Sequence, residues 1–535
     1  MKGDITMKSI FKYSFIALLA LAFAACTSEF DKVDTDPNQA TAEDLEVDNL
    51  NVGAFFRQME VRMVPFVAGG QQDDGYGSTG SYQHFQGLCS DWYSGYVAPT
   101  GTWANGNHNG NYYFTGNWGN SMYNQNYVMV MPAWASIVAN AADKPEIVAL
   151  ATVLKVYCMH RVTDQYGPIP YVNYTAGSLS NEFDSQEAVY NKFFQELDAA
   201  IDELAPFAAA GTQILPKFDY IYGGDADKWA RFANTLRLRL ALRVVYANPS
   251  LAKAEAEKSL TSSVGFLEDA SDRAQITSSS VSIIHPLWQQ AYDWNEERMG
   301  ASMDAYLNGY QDPRRAAWFT TCADGGYHGV RLGINYGTSN AAYVGDKISN
   351  FNLSNNSPIV YFSAAESFFL RAEAALRGWN AGGTAQEFYE QGIRASFAEH
   401  GINGGVDAYI ASTNEPAAFV DNTGNGGDAA APSTVTVAYD ESAGFETNLE
   451  RIITQKWIAN FLISPEGWAE FRRTGYPKLF PTTRNTSGNI NTAVQIRRMP
   501  YPEVVYNNNR AGVAKAVGLL GGPDNGATKL WWDKK

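Results

Sequence analysis

The residue types in this sequence that could do chemistry gather in positions 69–118. These fifty residues contain no Lys, Arg or Glu, and they hold eleven Gly and eleven aromatic residues. The rings are Tyr76, Tyr82, Phe85, Trp92, Tyr93, Tyr96, Trp103, Tyr112, Tyr113, Phe114 and Trp118, with Asn105, Asn107, Asn109, Asn111 and Asn117 between the later ones. Flat ring faces accept the C–H groups of a sugar. Amide, carboxylate and phenol groups supply the donors and acceptors its hydroxyls need. Such a mixture can hold a neutral polar ligand without using charge. The expected contacts in the tract are Asp91, Trp92, Tyr93, Tyr96, Trp103, Asn105, Asn107, Asn109, Tyr112 and Trp118. A second irregular stretch, 261–355, offers Trp288, Trp294, Tyr327 and His328 as an opposite wall. An apolar platform with a few directed polar groups is the common form of a small-ligand site. The competing reading is that the rings pack on the domain beneath, and for any one ring that is the stronger expectation.

Catalytic signatures are missing. HExxH, GxSxG, the P-loop and GxGxxG do not occur. The six His residues are scattered with no ligand spacing. A glycosidase needs two carboxylates across the scissile bond, and Asn295-Glu296 would suit one of them. The same dipeptide recurs at 181–182 and 414–415, however, so chance accounts for it. No enzyme and no cofactor are expected. Asp- and Asn-rich loops offer oxygen ligands for Ca²⁺, but no EF-hand pattern exists, so no metal site is predicted. Cys89, Cys158 and Cys322 lie far apart without a CxxC, which argues against zinc and against a disulfide framework.

The elements that must position these residues read as mainly α. The chain has 535 residues, 45% hydrophobic and 13% aromatic, enough for a large core. Its net charge of −16 argues against nucleic acid, whose phosphates need clustered Lys and Arg. Helical spacing predicts helices over 43–63, 145–163, 225–246, 363–378, 385–399 and 449–463. Asp184 is the expected N-cap of a helix with the stripe Val189, Phe193, Leu197, Ala200, Ile201 and Leu204. Arg231, Arg237, Arg239 and Arg243 share one helix, and in an acidic chain internal ion pairing is the expected use. Residues 402–447 read as a surface insertion. No alternating β-branched run exceeds about five positions, so long loops on a helical scaffold are predicted.

The amino end carries Lys8 and Lys12 before an apolar run, Tyr13 to Ala25, which is too short to span a bilayer. Phe23-Ala24-Ala25-Cys26 reads as a lipoprotein signal with Cys26 acylated, and two or three acyl chains anchor firmly. The expected organisation is a signal peptide at 1–25, an acidic tether at 26–42 and a single domain over 43–535. Within that domain the loop-rich regions are 66–122 and 261–355, and the helical scaffold is 123–260 and 360–475.

Several stretches together resemble the SusD/RagB family of Bacteroidetes outer-membrane lipoproteins, in particular its SusD-like branch. They are Cys26 with Thr35-Asp36-Pro37-Asn38, Thr163 to Tyr171, Phe183-Asp184-Ser185-Gln186, and Lys228 to Arg239. Tyr361 to Ala374, Glu466 to Pro477, Arg497-Arg498-Met499-Pro500-Tyr501-Pro502 and Lys529-Leu530-Trp531-Trp532 complete the set. Each is modest alone, and eight in order are specific. The resemblance implies tetratricopeptide-like helix pairs as scaffold and a lipid-anchored protein exposed at the outer-membrane surface. It implies a lid on a SusC-type TonB-dependent barrel that receives oligosaccharide, or peptide in RagB-like members. The family's ligand contacts come from variable loops, so none transfers through these motifs. A peptide site would want charge or an exposed sheet edge, which the tract at 69–118 does not offer. The expected function is therefore oligosaccharide capture and delivery. Peptide import and glycoside hydrolysis are the alternatives.

Overall fold

The structure, a computed structural model, describes residues 49–69, 76–116, 118–178, 180–335 and 341–535. The signal peptide, Cys26, the tether and the first part of the helix expected at 43–63 lie outside the described residues, as do Asn117 and Tyr336. The helices are α1 (Leu50–Arg62), α2 (Met131–Asn140), α3 (Pro145–Tyr166), α4 (Gln186–Ala209), α5 (Ala226–Arg243) and α6 (Pro249–Leu260). After them come α7 (Ala301–Gly309), α8 (Ala364–Leu376), α9 (Ala385–Glu399), α10 (Phe445–Ala459), α11 (Ser464–Thr474), α12 (Glu503–Asn508) and α13 (Arg510–Leu520). Shorter helical turns fill the loop regions.

The mainly α class follows from the apolar spacing. In α3 the predicted stripe of Ile147, Leu150, Ala151, Leu154, Tyr157 and Cys158 is buried, and so is nearly every other position. Pro145 starts the helix, where its fixed φ fits the first turn, and Gly167 at φ 92° ends it. α3 packs on α4, α4 on α5, and α5 on α6, giving stacked helix pairs. In the tetratricopeptide-like pair α8–α9, Gly392 lets the helices approach. A Cβ there would lie 2.7 Å from the Phe369 ring. Ser185, not Asp184, caps α4 by accepting from the Ala188 N–H. Asp184 sits one residue too early and accepts from the Tyr171 and Val172 N–H groups instead.

The Arg side chains of α5 pair inside the protein, as expected. Arg239 forms a two-point bond to Glu366 at 2.8 and 2.7 Å. Arg243 bonds Glu466 at 2.5 Å and Glu470 at 3.0 Å, and Lys456 reaches Glu466 at 2.9 Å. Charges this deep persist only when matched.

Among the described residues the strands form three short antiparallel ribbons. These are β1 (Val67–Ala68) with β4 (Ile283–Ile284), β2 (Val97–Pro99) with β5 (Glu297–Met299), and β3 (Ala274–Ile276) with β6 (Ile359–Phe362). The first two ribbons join the loop region 66–122 to the loop region 261–355, with Val67 opposite Ile284 and Val97 opposite Met299. Residues 402–447 are not wholly a surface insertion. Tyr409, Phe419 and Val437 are buried, and the Tyr409 hydroxyl donates to Asp312 at 2.6 Å.

Candidate ligand-binding face

Pro286 opens a helical turn, Pro286–Trp288, that continues as a wide turn through Asp293. Trp288 and Tyr292, four residues apart, therefore share a side, with ring centroids 5.9 Å apart and planes 23° from parallel. Trp294 follows. Tyr292 and Trp294 are 38% and 39% exposed, high for such large rings. Asn295 next in line adopts a left-handed φ of 55°. Its amide oxygen accepts from Arg298 at 3.0 Å, and its carbonyl accepts from the Thr100 hydroxyl at 2.5 Å. Arg298 also donates to the carbonyls of Ala291, Glu297 and Val344. The Tyr292 hydroxyl donates to the Phe351 carbonyl at 2.5 Å. The rings are thus held in place by a backbone that is tied down on several sides, which lowers the ordering cost of binding.

The tract 69–118 meets this platform through side chains as well as strands. Gln83 donates to Glu296 at 2.5 Å, Thr79 bonds Gln289, and the Trp92 indole donates to both oxygens of Glu297 at 3.1 Å. Burial raises the Glu297 carboxyl well above the usual range, as it raises Asp91. Farther along, Ala104 and Asn105 both take left-handed φ, 47° and 56°, at an exposed tip. Consecutive left-handed residues other than Gly are strained, and strain of this kind concentrates at functional loops. Asn105 and Asn107 are exposed there, and Trp103 is half-buried, with Trp92 5.5 Å and Trp118 6.0 Å from it between centroids.

A protein-family profile described as SusD-like, "Susd and RagB outer membrane lipoprotein", matches residues 32–533. The chain belongs to the SusD-like family. Among solved structures, a chitin-binding SusD homolog from Flavobacterium johnsoniae shares 40% identity at a TM-score of 0.84, covering 90% of this chain and 98% of the other. A SusD homolog from Bacteroides vulgatus shares 34% identity at the same TM-score, covering 91% of this chain and 99% of the other. One from Bacteroides uniformis shares 35% at a TM-score of 0.83, with 91% and 99% covered. A search of curated proteins gives no match. Among the described residues of this SusD-like protein no helix is long and apolar enough to cross a membrane.

The matched motifs are structural in this SusD-like chain. Trp532 is fully buried and donates to Asp164 at 2.8 Å, and Arg498 clasps the Tyr166 carbonyl. The expected contact residues divide. Asp91, Trp92, Tyr93, Tyr96, Asn109 and Tyr112 are at most 4% exposed and offer no surface to a ligand. The reason is the underside of the tract. Tyr96 stacks on Trp457 at 5.1 Å, Tyr93 lies 5.2 Å from Trp468, and Asn109 donates to the Leu88 carbonyl. Gly467 makes room, since a Cβ there would sit 2.9 Å from the Tyr96 hydroxyl. Asp91 spends its oxygens on Tyr82 and Gln86. These rings are the core that α10 and α11 need above them, so the assignment of all six to the ligand is corrected.

Trp103, Asn105, Asn107, Trp118, Trp288, Trp294, Tyr327 and His328 remain at or near the surface. Tyr327 faces the Arg315 guanidinium at 5.2 Å, and His328 bonds Asp324 at 2.8 Å. Tyr292 went unselected from sequence, although its spacing of four from Trp288 was a usable signal. Cys89, Cys158 and Cys322 are buried free thiols. No group of three His, Cys, Asp or Glu among the described residues could hold a metal ion.

Proposed function

We propose that this SusD-like protein binds neutral oligosaccharide at the outer-membrane surface and delivers it to a SusC-type TonB-dependent transporter, without altering the ligand chemically. In this reading acylated Cys26 anchors the chain. The observation that carries the binding step is the near-parallel Trp288–Tyr292 pair with exposed Trp294 two residues on, just before the ribbon that joins the charge-poor tract 69–118 to the region 261–355. Indole and phenol faces suit the C–H faces of sugar rings, and the amides of Asn105 and Asn107 suit hydroxyls. The chitin-binding activity of the 40% identical Flavobacterium johnsoniae protein supports a saccharide ligand.

Calorimetric titration with a panel of neutral oligosaccharides, beginning with the N-acetylglucosamine hexamer, tests this. The Trp288→Ala/Trp294→Ala protein is expected to lose about tenfold in affinity, or roughly 1.4 kcal/mol, with its thermal unfolding unchanged. Unaltered titration curves would remove the platform from the reading. Release of shortened sugars during the titration would replace capture by hydrolysis.

A further inference from the structure

A concave surface is also present that shares no residue with the platform. It is a cleft of about 640 Å³ between the turn that precedes α2, the loop after α3 and helix α12. That volume lies within the range of ligand pockets. Three tyrosines run along its wall. Tyr123 and Tyr127 are one helical turn apart with centroids at 4.5 Å, and Tyr174 continues the row at 6.0 Å.

Among the described residues, the lining includes no Asp, Glu, Lys, Arg or His. Charged residues make up 18% of the chain, so an open cleft without one is informative. Polar capacity comes instead from amides and hydroxyls, among them Asn124, Asn508 and Ser121. Two aliphatic residues at the cleft, Val128 and Val504, are 49% and 38% exposed. Isolated exposed aliphatics need no explanation, but two beside a row of rings extend one apolar surface.

The cleft is also fixed before any ligand arrives. The Tyr127 hydroxyl donates to the Pro170 carbonyl at 2.7 Å. Asn181 closes its loop by bonds to Thr175 and Ser178, and Asn509 at the end of α12 donates to the Asn181 carbonyl at 2.8 Å. A wall held this way loses little freedom on binding. Among the described residues no strand edge borders it, so an extended peptide would find no backbone ladder to join there.

From the tyrosine row, the uncharged amide lining and the fixed walls, we infer that this cleft is a second saccharide-binding site. It takes neutral sugar units of two or three rings, independently of the Trp288–Trp294 platform. The inference rests on the proposed reading that the ligand is a saccharide, and it adds a site to that reading.

The experiment uses the full mature chain and the N-acetylglucosamine, maltose and cellulose hexasaccharides, titrated calorimetrically. The Trp288→Ala/Trp294→Ala protein should keep measurable binding. Adding Tyr174→Ala and Asn508→Ala to it should weaken that residual binding at least tenfold. Adding Tyr174→Phe alone, which keeps the ring, should retain most of it. Tyr174 is half-buried and Asn508 exposed, so the fold should tolerate these changes, with circular dichroism as the check. If the platform variant abolishes all binding, the second site is overturned and the proposed function stands. The same follows if residual binding ignores the Tyr174 and Asn508 changes. If neither pair of substitutions, alone or together, alters saccharide binding, both surfaces are overturned. A neutral hexapeptide that competes at the cleft would overturn the saccharide assignment there.

Discussion

The helical scaffold and the loop face both bury carboxylates, and they treat them in opposite ways. Between α5, α8, α10 and α11 the acids meet cations. Burial opposes ionisation of Glu466, but Arg243, Lys456 and Arg239 outweigh it and hold its carboxyl well below the usual range. Burial likewise opposes Glu373, where Arg473 and Arg377 prevail and bring it to about 2. On the loop face the hydrogen-bond donors are neutral, and Arg161 near Asp91 and Arg298 near Glu297 do not outweigh burial. Asp91 and Glu297 find Tyr82, Gln86 and Trp92, and burial leaves both carboxyls raised. Asp304, near the second ribbon, is raised to about 6 by burial against the Gly329 N–H and Asn308. The scaffold has exceptions in Asp164, Glu399 and Glu60, all pushed up by burial, although Arg243 is close to the first and Arg273 to the second. The contrast belongs to the tract 69–118 and its partner Glu297, whose buried acids rely on neutral donors, whereas Asp312 in the region 261–355 pairs with Arg314 just as the scaffold's acids pair with their cations.

The largest expected effect breaks the scaffold side. Glu466→Ala strands Arg243 and Lys456 without their nearest anion, and removing one partner of a buried pair costs about 3–5 kcal/mol. Denaturant unfolding should show a loss of that order. A change within about 0.5 kcal/mol, the range of surface substitutions, would mean the network contributes no net cohesion. Next comes a test that sharpens the division within the loop face. Trp92→Ala opens a cavity under the tract and should cost about 3–5 kcal/mol. Trp294→Ala should leave stability within about 0.5 kcal/mol while weakening saccharide binding. Equal stability losses would erase the distinction between core rings and surface rings.

The smallest effect is read from pH. Asp304 has a folded value of about 6 against roughly 3.9 unfolded, so the folded state holds its proton longer and stability falls as pH rises from about 4 to 6. Glu373 is displaced the other way, to about 2 against roughly 4.3 unfolded, so its contribution is lost as pH falls from about 4 to 2. Carboxyl carbon resonances followed by nuclear magnetic resonance should titrate near these two values. Coincident midpoints near 4 would show that the two regions do not differ.

Much of the scaffold was legible because helix periodicity is local. The stripe of α3, the position of α8 and α9 and the internal pairing of the α5 arginines all follow from spacing or composition. The capping of α4 was missed by one residue, since Asp184 and Ser185 are both good caps and only the path of the chain selects between them. The site was legible at the level of regions. Residues 66–122 and 261–355 do face each other, but through β1–β4 and β2–β5, whose strands of two or three residues leave no periodic signal.

From the sequence alone came the helical class, the family resemblance and a loop tract at 69–118 poor in charge, because composition and period are properties of a single chain. Which rings are presented and which are buried was settled by the tertiary structure. Trp92 and Trp294 have the same chemistry and both stand in irregular segments. One lies over Glu297 beneath the tract, and the other stands on a pinned turn open to solvent. Aromatic rings suit a dry core and a sugar face equally well, so their type could not separate the two, and only the tertiary packing of Trp92 against Trp103, His108 and Glu297 did.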